Sequence, residues 1–335
     1  MIKTKTICTI GPSSDSEQII EKLILGGMDI VRLNFSHSSF EQFNKIKNII
    51  NNLNFKHKKS VKILIDLQGP RMRVGILPLS GIELKEGEKI VFSTKNSNDK
   101  VIHVNDPYLH IDVKQGQPIY LSNGEMELMV TDKKDTEIEA IVIRGGILYS
   151  KKGLNVPETN LTSGGLTDKD KKDIKFAVEN NVDFIALSFV KDKSDIEEVR
   201  SFIDGKNISI IAKIERKQAI LNLDEIIIAS DLIMVARGDL GIEMPLVQLP
   251  VLQKKIINES KKKNVLCIVA TQMLASMVNH HRPTNAEVTD VANAVIDGAW
   301  GLMLSDETAF GKYPSEALKY LVQTIEKTEE YEEDN

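Results

Sequence analysis

Ile208-Ser-Ile-Ile-Ala-Lys-Ile214, Leu232-Ile-Met-Val-Ala236, Val265-Leu-Cys-Ile-Val-Ala270 and Gly301-Leu-Met-Leu304 are four short, mostly apolar runs in the second half of the chain. Runs of this length, bounded by polar turns and rich in β-branched residues, read as strands buried on both faces, the pattern of a parallel sheet. Four more precede them: Thr6 to Ile10, Ile30 to Phe35, Val61 to Asp66 and Phe184 to Val190. Amphipathic segments lie between the runs, among them Ser16 to Leu25, Phe40 to Leu53, Asp168 to Asn180, Asp195 to Ile203, Leu252 to Lys262 and Glu287 to Ile296. Eight strands with interleaved helices predict a closed (β/α)8 TIM barrel, an α/β fold. An open doubly wound sheet is disfavoured, since no dinucleotide glycine fingerprint follows the first strand.

The alternation stops between about Arg71 and Leu161. Hairpin punctuation takes over, with Lys85-Glu-Gly-Glu88, Leu121-Ser-Asn-Gly124, Asp132-Lys-Lys-Asp135 and Arg144-Gly-Gly146 separating alternating runs such as Lys89 to Phe92 and Glu137 to Ile143. The reading is a small all-β domain at 71–161 inserted after the third strand, with the barrel formed by 1–70 and 162–335. An insertion there sits over the carboxyl ends of the strands, where a lid is useful. The acidic tail Glu329-Glu-Tyr-Glu-Glu-Asp-Asn335 is expected to fray.

The 335 residues are 41% hydrophobic and 27% charged, a globular composition with enough length for a barrel and one small domain. Forty-three Lys and Arg against 48 Asp and Glu give a net charge of -5, which provides no positive field for nucleic acid. Neither a signal-peptide core nor a run of the ~18 apolar residues needed to cross a bilayer is present, so the expected location is cytoplasmic with no membrane partner. Cys8 and Cys267 sit inside β-branched runs and read as buried small hydrophobes.

Polar residues collect where the strands end: Thr9; Arg32, Asn34 and Ser36; Asp66; Ser188; Lys213 and Glu215; Arg237-Gly-Asp239; Thr271; Ser305 and Glu307. Any single Thr or Ser here is an ordinary loop residue. Lys213 and Glu215 are harder to dismiss, because residues two apart on a strand share a face, and two charges facing a barrel mouth call for a ligand. Arg32 offers a planar fork for phosphate, Lys213 a compact cation, and Glu215 with Asp239 two carboxylates suited to Mg²⁺. Gly238 permits close approach. These are the parts phosphoryl transfer needs, and a carboxylate two residues from Lys213 keeps its amine protonated, against a Schiff-base role.

The motifs Cys8-Thr-Ile-Gly-Pro12, Val31-Arg-Leu-Asn-Phe-Ser-His37, Ile65-Asp-Leu-Gln-Gly-Pro70, Ser150-Lys-Lys-Gly153, Ile211-Ala-Lys-Ile-Glu215, Met234-Val-Ala-Arg-Gly-Asp-Leu-Gly-Ile-Glu243, Ala270-Thr-Gln-Met273 and Met303-Leu-Ser-Asp-Glu-Thr-Ala309 follow in order along nearly the whole chain. In them the sequence resembles the pyruvate kinase family. The resemblance implies transfer of the phosphoryl group of phosphoenolpyruvate to ADP, giving ATP and pyruvate, the last step of glycolysis. It implies catalytic roles for Arg32, Lys213 and Thr271 and substrate contacts from Arg32, Lys213, Gly238, Asp239 and Thr271. Mg²⁺ or Mn²⁺ would sit on Glu215 and Asp239, and the nucleotide against Asn34, Ser36, His37, Arg73 and Lys152.

The family's monovalent-cation site falls on Asn34, Ser36, Asp66 and Leu67. K⁺-dependent members tend to carry Thr, Lys, Glu and Thr where this chain has Leu67, Gln68, Arg71 and Val74; members that work without K⁺ tend to have Leu, Gln, Lys and an aliphatic residue. Arg71 in the lysine's role implies that K⁺ is not required, with pairing of Arg71 to Asp66 as the structural alternative. Members usually carry a further C-terminal domain, with an effector site and a subunit interface, which is expected to be absent here and would leave any homo-oligomer to form through the barrel. Asp306 replaces a small residue of the pattern and Asn285 an arginine. Two other readings stay open: a Mg²⁺-dependent phosphoenolpyruvate or pyruvate lyase on the same barrel, and a non-catalytic metabolite-sensing paralogue.

Overall fold

Eight of the apolar runs do become strands, and they close on themselves. The structure is a computed structural model that describes residues 2–95 and 101–334. The first three strands are β1 (Lys5–Thr9), β2 (Ile30–Asn34) and β3 (Lys62–Asp66). A β-rich segment follows, with β4 (Ile82–Leu84), β5 (Lys89–Ser93), β6 (Val101–His103), β7 (Pro118–Leu121), β8 (Met126–Lys134), β9 (Glu137–Arg144), β10 (Gly146–Leu148) and β11 (Leu154–Asn155). The chain then returns through β12 (Phe184–Leu187), β13 (Ser209–Ile214), β14 (Leu232–Ala236), β15 (Leu266–Ala270) and β16 (Gly301–Leu304). The closed order is β1-β16-β15-β14-β13-β12-β3-β2, with every pair parallel.

Side chains alternate between the two faces of each strand. Ile7, Ile30, Leu64, Ala186, Ile211, Met234 and Ile268 form one buried cluster inside the barrel. Their neighbours in sequence, such as Cys8, Val31, Ile63, Ile65, Ile210 and Ala212, belong to a second cluster shared with the surrounding helices. Both cysteines are buried and unbridged. The helices start where their caps dictate. Ser16 and Ser39 accept N–H bonds from Ile19 and Gln42, while Thr167 with Asp170 and Thr284 with Glu287 make reciprocal capping boxes.

Several boundaries differ from the sequence reading. The helix expected at Phe40 to Leu53 continues to His57, where Lys58 in the left-handed region turns its N–H back to Asn54. The one expected from Leu252 begins at Leu249, because Pro250 is compatible with a first helical turn. The strand expected to reach Val190 stops at Leu187, since Phe189 takes a φ of 59°. The acidic tail, expected to fray, is helical as far as Asp334: the helix Pro314–Asp334 runs through it, and the Glu329 carboxylate accepts the N–H groups of Lys3 and Thr4. Asn335 lies outside the described residues.

The inserted strands form a six-stranded sheet, β11-β7-β8-β9-β5-β6, and a two-stranded one, β10-β4, around a core of their own that includes Phe92, Ile119, Leu128, Ile138 and Val142. β5 and β6 pair in parallel. The passage from β3 to this sheet is tight. Gly69 has a φ of 66°, and a Cβ there would lie 2.8 Å from the Ser188 carbonyl oxygen. No helix among the described residues is long and apolar enough to cross a membrane.

Candidate active site

The alternation that fills the barrel also builds its mouth. Ile7, Ile30, Leu64, Ala186 and Ile211 point inward, so the residues two further on, Thr9, Arg32, Asp66, Ser188 and Lys213, form the next layer toward the carboxyl ends. Asp66 is the hub of that layer. Its Oδ2 accepts from Arg32 Nε at 2.8 Å and Nη2 at 2.7 Å. Its Oδ1 lies 3.1 Å from Lys213 Nζ and 3.2 Å from Ser188 Oγ. Arg32 Nη1 donates to Thr9 Oγ1 at 2.9 Å, and Lys213 also reaches Ser188 Oγ at 2.8 Å and Glu215 Oε1 at 3.0 Å. The other Glu215 oxygen accepts the Phe189 N–H at 2.7 Å. All four charges are nearly excluded from water, with Asp66 and Glu215 each only 1% exposed.

Burial alone would push the Asp66 carboxyl up, but Lys213 and Arg32 outweigh it and hold the group below the usual carboxylate range. Burial would likewise strip the proton from Lys213, yet Asp66 and Glu215 outweigh it and raise the ammonium's pKa. The amine is therefore a cation, as its spacing from Glu215 implied. Glu215 goes the other way. Burial is the largest cause of its raised pKa, offset in part by Lys213 and reinforced by the negative charge of Asp239. A buried carboxylate whose proton affinity is raised by burial and by a neighbouring negative charge is one that a bound cation would relieve.

Asn34, Ser36, Leu67, Arg71, Asp239 and Thr271 line the same cleft as this cluster. Asn34 Oδ1 accepts the Ser36 N–H at 3.1 Å, and the Leu67 carbonyl accepts from Ser188 Oγ at 2.7 Å, which leaves it one free lone pair. Gly238 N–H donates to Thr271 Oγ1 at 2.9 Å. Arg71 does not pair with Asp66. Its Nη2 lies 3.1 Å from Asp239 Oδ1 and 3.4 Å from Asn123 Oδ1 of the β7–β8 turn, and its guanidinium carbon lies 5.9 Å from the centre of the Phe189 ring. Arg32 and Lys213 already engage both oxygens of Asp66 from inside the barrel.

The nucleotide-side candidates are more scattered. His37 is exposed, and its backbone N–H donates to Asn34 O. Arg73 donates to the Lys151 carbonyl at 2.9 Å; burial and then neighbouring Arg71 lower its pKa, with Asp239 acting against them. Lys152 is exposed beside it. Glu307, one of the polar strand-end residues, is structural: it is 1% exposed and accepts the Leu274 and Ser305 N–H groups. Asp306 and Asn285 are both exposed. Phe189 and Asn123 had no role in the sequence reading, and Ser188 entered it only as one of the polar strand-end residues. For Ser188 the signal was available, since it follows inward Ala186 by two; Asn123 meets Arg71 only through the folding of the insert.

This arrangement defines a (β/α)8-barrel enzyme whose charged mouth, overlooked by a β-rich insert, suits a phosphorylated substrate. The model of the pyruvate kinase barrel domain matches residues 1–318. The pyruvate kinase of Thermococcus litoralis is 44% identical over 99% of this chain and 70% of its own length, and that of Thermotoga maritima 46% identical over 98% and 72%. A crystal structure of a pyruvate kinase from Cryptosporidium parvum superposes with a TM-score of 0.94 at 36% identity, covering 98% of this chain and 70% of that one. The chain belongs to the pyruvate kinase family. As in its relatives, the chemistry is phosphoryl transfer.

The cluster makes an acid-stability prediction. Asp66→Asn leaves two buried cations without their carboxylate and is expected to cost about 3–5 kcal/mol at neutral pH. Because the Asp66 pKa is depressed on folding, its contribution is complete above the unfolded value near 3.8 and is lost as pH falls through the lower folded value. Urea unfolding should therefore show a gap between wild type and variant that narrows below that pH. A gap unchanged down to strong acid would contradict the assignment of Asp66 as a carboxylate.

Proposed function

We infer that this chain is a pyruvate kinase in activity: a terminal oxygen of ADP attacks the phosphorus of phosphoenolpyruvate, the bond from phosphorus to the enol oxygen breaks, and the resulting enolate takes a proton at its methylene carbon to give pyruvate. The observation that carries this reading is the pair of buried cations, Arg32 and Lys213, held on one carboxylate at the barrel mouth. Such a transition state is loose and anionic, so its catalysis rests on positioned charge. Arg32 binds the transferring phosphoryl group, and Lys213 neutralises charge that develops on it and on the enol oxygen. Gly238, Asp239 and Thr271 take the carboxylate end. With one lone pair engaged by Gly238, the Thr271 hydroxyl has its proton to donate toward the methylene carbon.

Glu215 and Asp239 fit Mg²⁺ or Mn²⁺, which take one or two carboxylates and complete their shell with substrate oxygens and water. The ion would supply charge neutralisation between the bound phosphates. Asn34, Ser36 and His37 on the barrel side and Arg73 with Lys152 on the insert side are the proposed nucleotide contacts. The reading divides the chain at 1–70, 71–161 and 162–335, with the insert covering the site. Asn34, Ser36, Asp66 and the Leu67 carbonyl are the proposed position for a monovalent ion, with Arg71 as its replacement.

Incubation with phosphoenolpyruvate, ADP and Mg²⁺ followed by ³¹P NMR for ATP and ¹H NMR for pyruvate tests the activity. ATP and pyruvate should appear in equal amounts and only with ADP present. Failure to bind ADP would favour the lyase, and binding of both substrates without turnover the sensor. Lys213→Met should lower turnover on the order of 100-fold or more while the variant stays folded. Near-normal turnover would remove Lys213 from its role.

Arg71 yields a second prediction. A guanidinium at Asp239 supplies the positive charge that K⁺ brings in other members, and both together at short range repel. Near-full activity is expected in K⁺-free buffer with a bulky organic counterion, and activation by K⁺ only after Arg71→Glu. A wild type that is silent until K⁺ is added would overturn it.

A further inference from the structure

Thr271 stands in the left-handed backbone region with a φ of 71°, and Gln272 follows it at 54°. A β-branched residue avoids that region unless its surroundings hold it there. The restraint is visible. Arg237 donates twice to the Thr271 carbonyl oxygen, from Nε at 3.1 Å and from Nη2 at 2.7 Å. The remaining arm of the guanidinium, Nη1, lies 2.6 Å from Asp290 Oδ2 and 3.3 Å from Gln253 Oε1, and Nη2 also lies 2.9 Å from Met273 Sδ. Arg237 is 7% exposed and Gln253 5%. Neither Arg237 nor Asp290 lines the cleft that holds Lys213 and Asp239; both line a separate one behind β15.

The dipeptide Arg237-Gly238 thus holds Thr271 at two points. The side chain of the first residue grips its carbonyl from behind, and the N–H of the second engages its hydroxyl at the front. We propose that Arg237, oriented by Asp290, is the positioning residue for the Thr271 hydroxyl, fixing the direction in which that group delivers its proton. Lysine could not replace it, because only a planar fork sends two N–H groups to one oxygen and a third to a carboxylate on another helix. The proposal rests on the functional reading above, in which Thr271 serves protonation of the enolate and Lys213 with Arg32 serves phosphoryl transfer.

That division supplies the test. Run backward, protonation of the enolate is enolisation of pyruvate, read by ¹H NMR as exchange of the methyl protons for solvent deuterium with Mg²⁺ and ATP bound. Phosphoryl transfer is read separately by rapid quench of a single turnover with labelled phosphoenolpyruvate. A misplaced reacting group typically costs on the order of 100-fold, so Arg237→Gln and Arg237→Lys should both lose about that factor in methyl exchange, with a far smaller loss in the quenched transfer step and little change in KM for phosphoenolpyruvate. Asp290→Asn, which leaves the guanidinium in place, should show a milder loss of the same pattern and carries the test if the Arg237 variants do not fold. Equal losses in both steps, or unaltered exchange, would overturn the proposal. A wild type that makes no ATP would instead overturn the functional reading beneath it.

Discussion

The contact on which the site depends is Asp66 between Arg32 and Lys213. Burying one carboxylate and two cations costs several kcal/mol per ion unless geometry and further hydrogen bonds offset it, and here Thr9, Ser188 and Glu215 complete the shell. The arrangement follows from strand periodicity. A barrel packed with Ile, Leu and Ala at one level must present the residues two positions later at the next, so the cluster is held by the same close packing that holds the core. The outcome is a lysine kept cationic at the end of β13 and an arginine whose fork is already oriented. Little reorganisation remains when an anion arrives.

The insert extends this electrostatics rather than merely covering it. Arg71 joins Asp239 of the barrel to Asn123 of the inserted sheet and lies over Phe189, whose own N–H is held by Glu215. Formal charge at the mouth balances, with Arg32, Arg71 and Lys213 against Asp66, Glu215 and Asp239. A phosphorylated anion entering alone breaks that balance, and a divalent ion on Glu215 and Asp239 offsets most of the added charge.

Much of this was legible in the sequence because it rests on local rules. The eight strands, the charged pair Lys213 and Glu215, and the turn-rich insert each follow from spacing and composition over a few residues. What was not legible depends on which distant groups already have partners. Arg71 looked able to reach Asp66, but both oxygens of that carboxylate are engaged from inside the barrel by Arg32 and Lys213. The grip of Arg237 on the Thr271 carbonyl spans 34 residues and leaves no trace in either motif. The acidic tail read as solvent-exposed like charge, yet Glu329 finds two backbone N–H groups at the start of the chain.

The central claim is that the mouth is a neutral, preformed charge array that accepts phosphoenolpyruvate and a divalent ion together. Calorimetric titration of phosphoenolpyruvate into the metal-free chain, and again with saturating Mg²⁺, tests it most directly. The account predicts that Mg²⁺ tightens phosphoenolpyruvate binding by at least about tenfold, with phosphoenolpyruvate tightening Mg²⁺ by the same factor as linkage requires. Equal affinity with and without Mg²⁺ would contradict it.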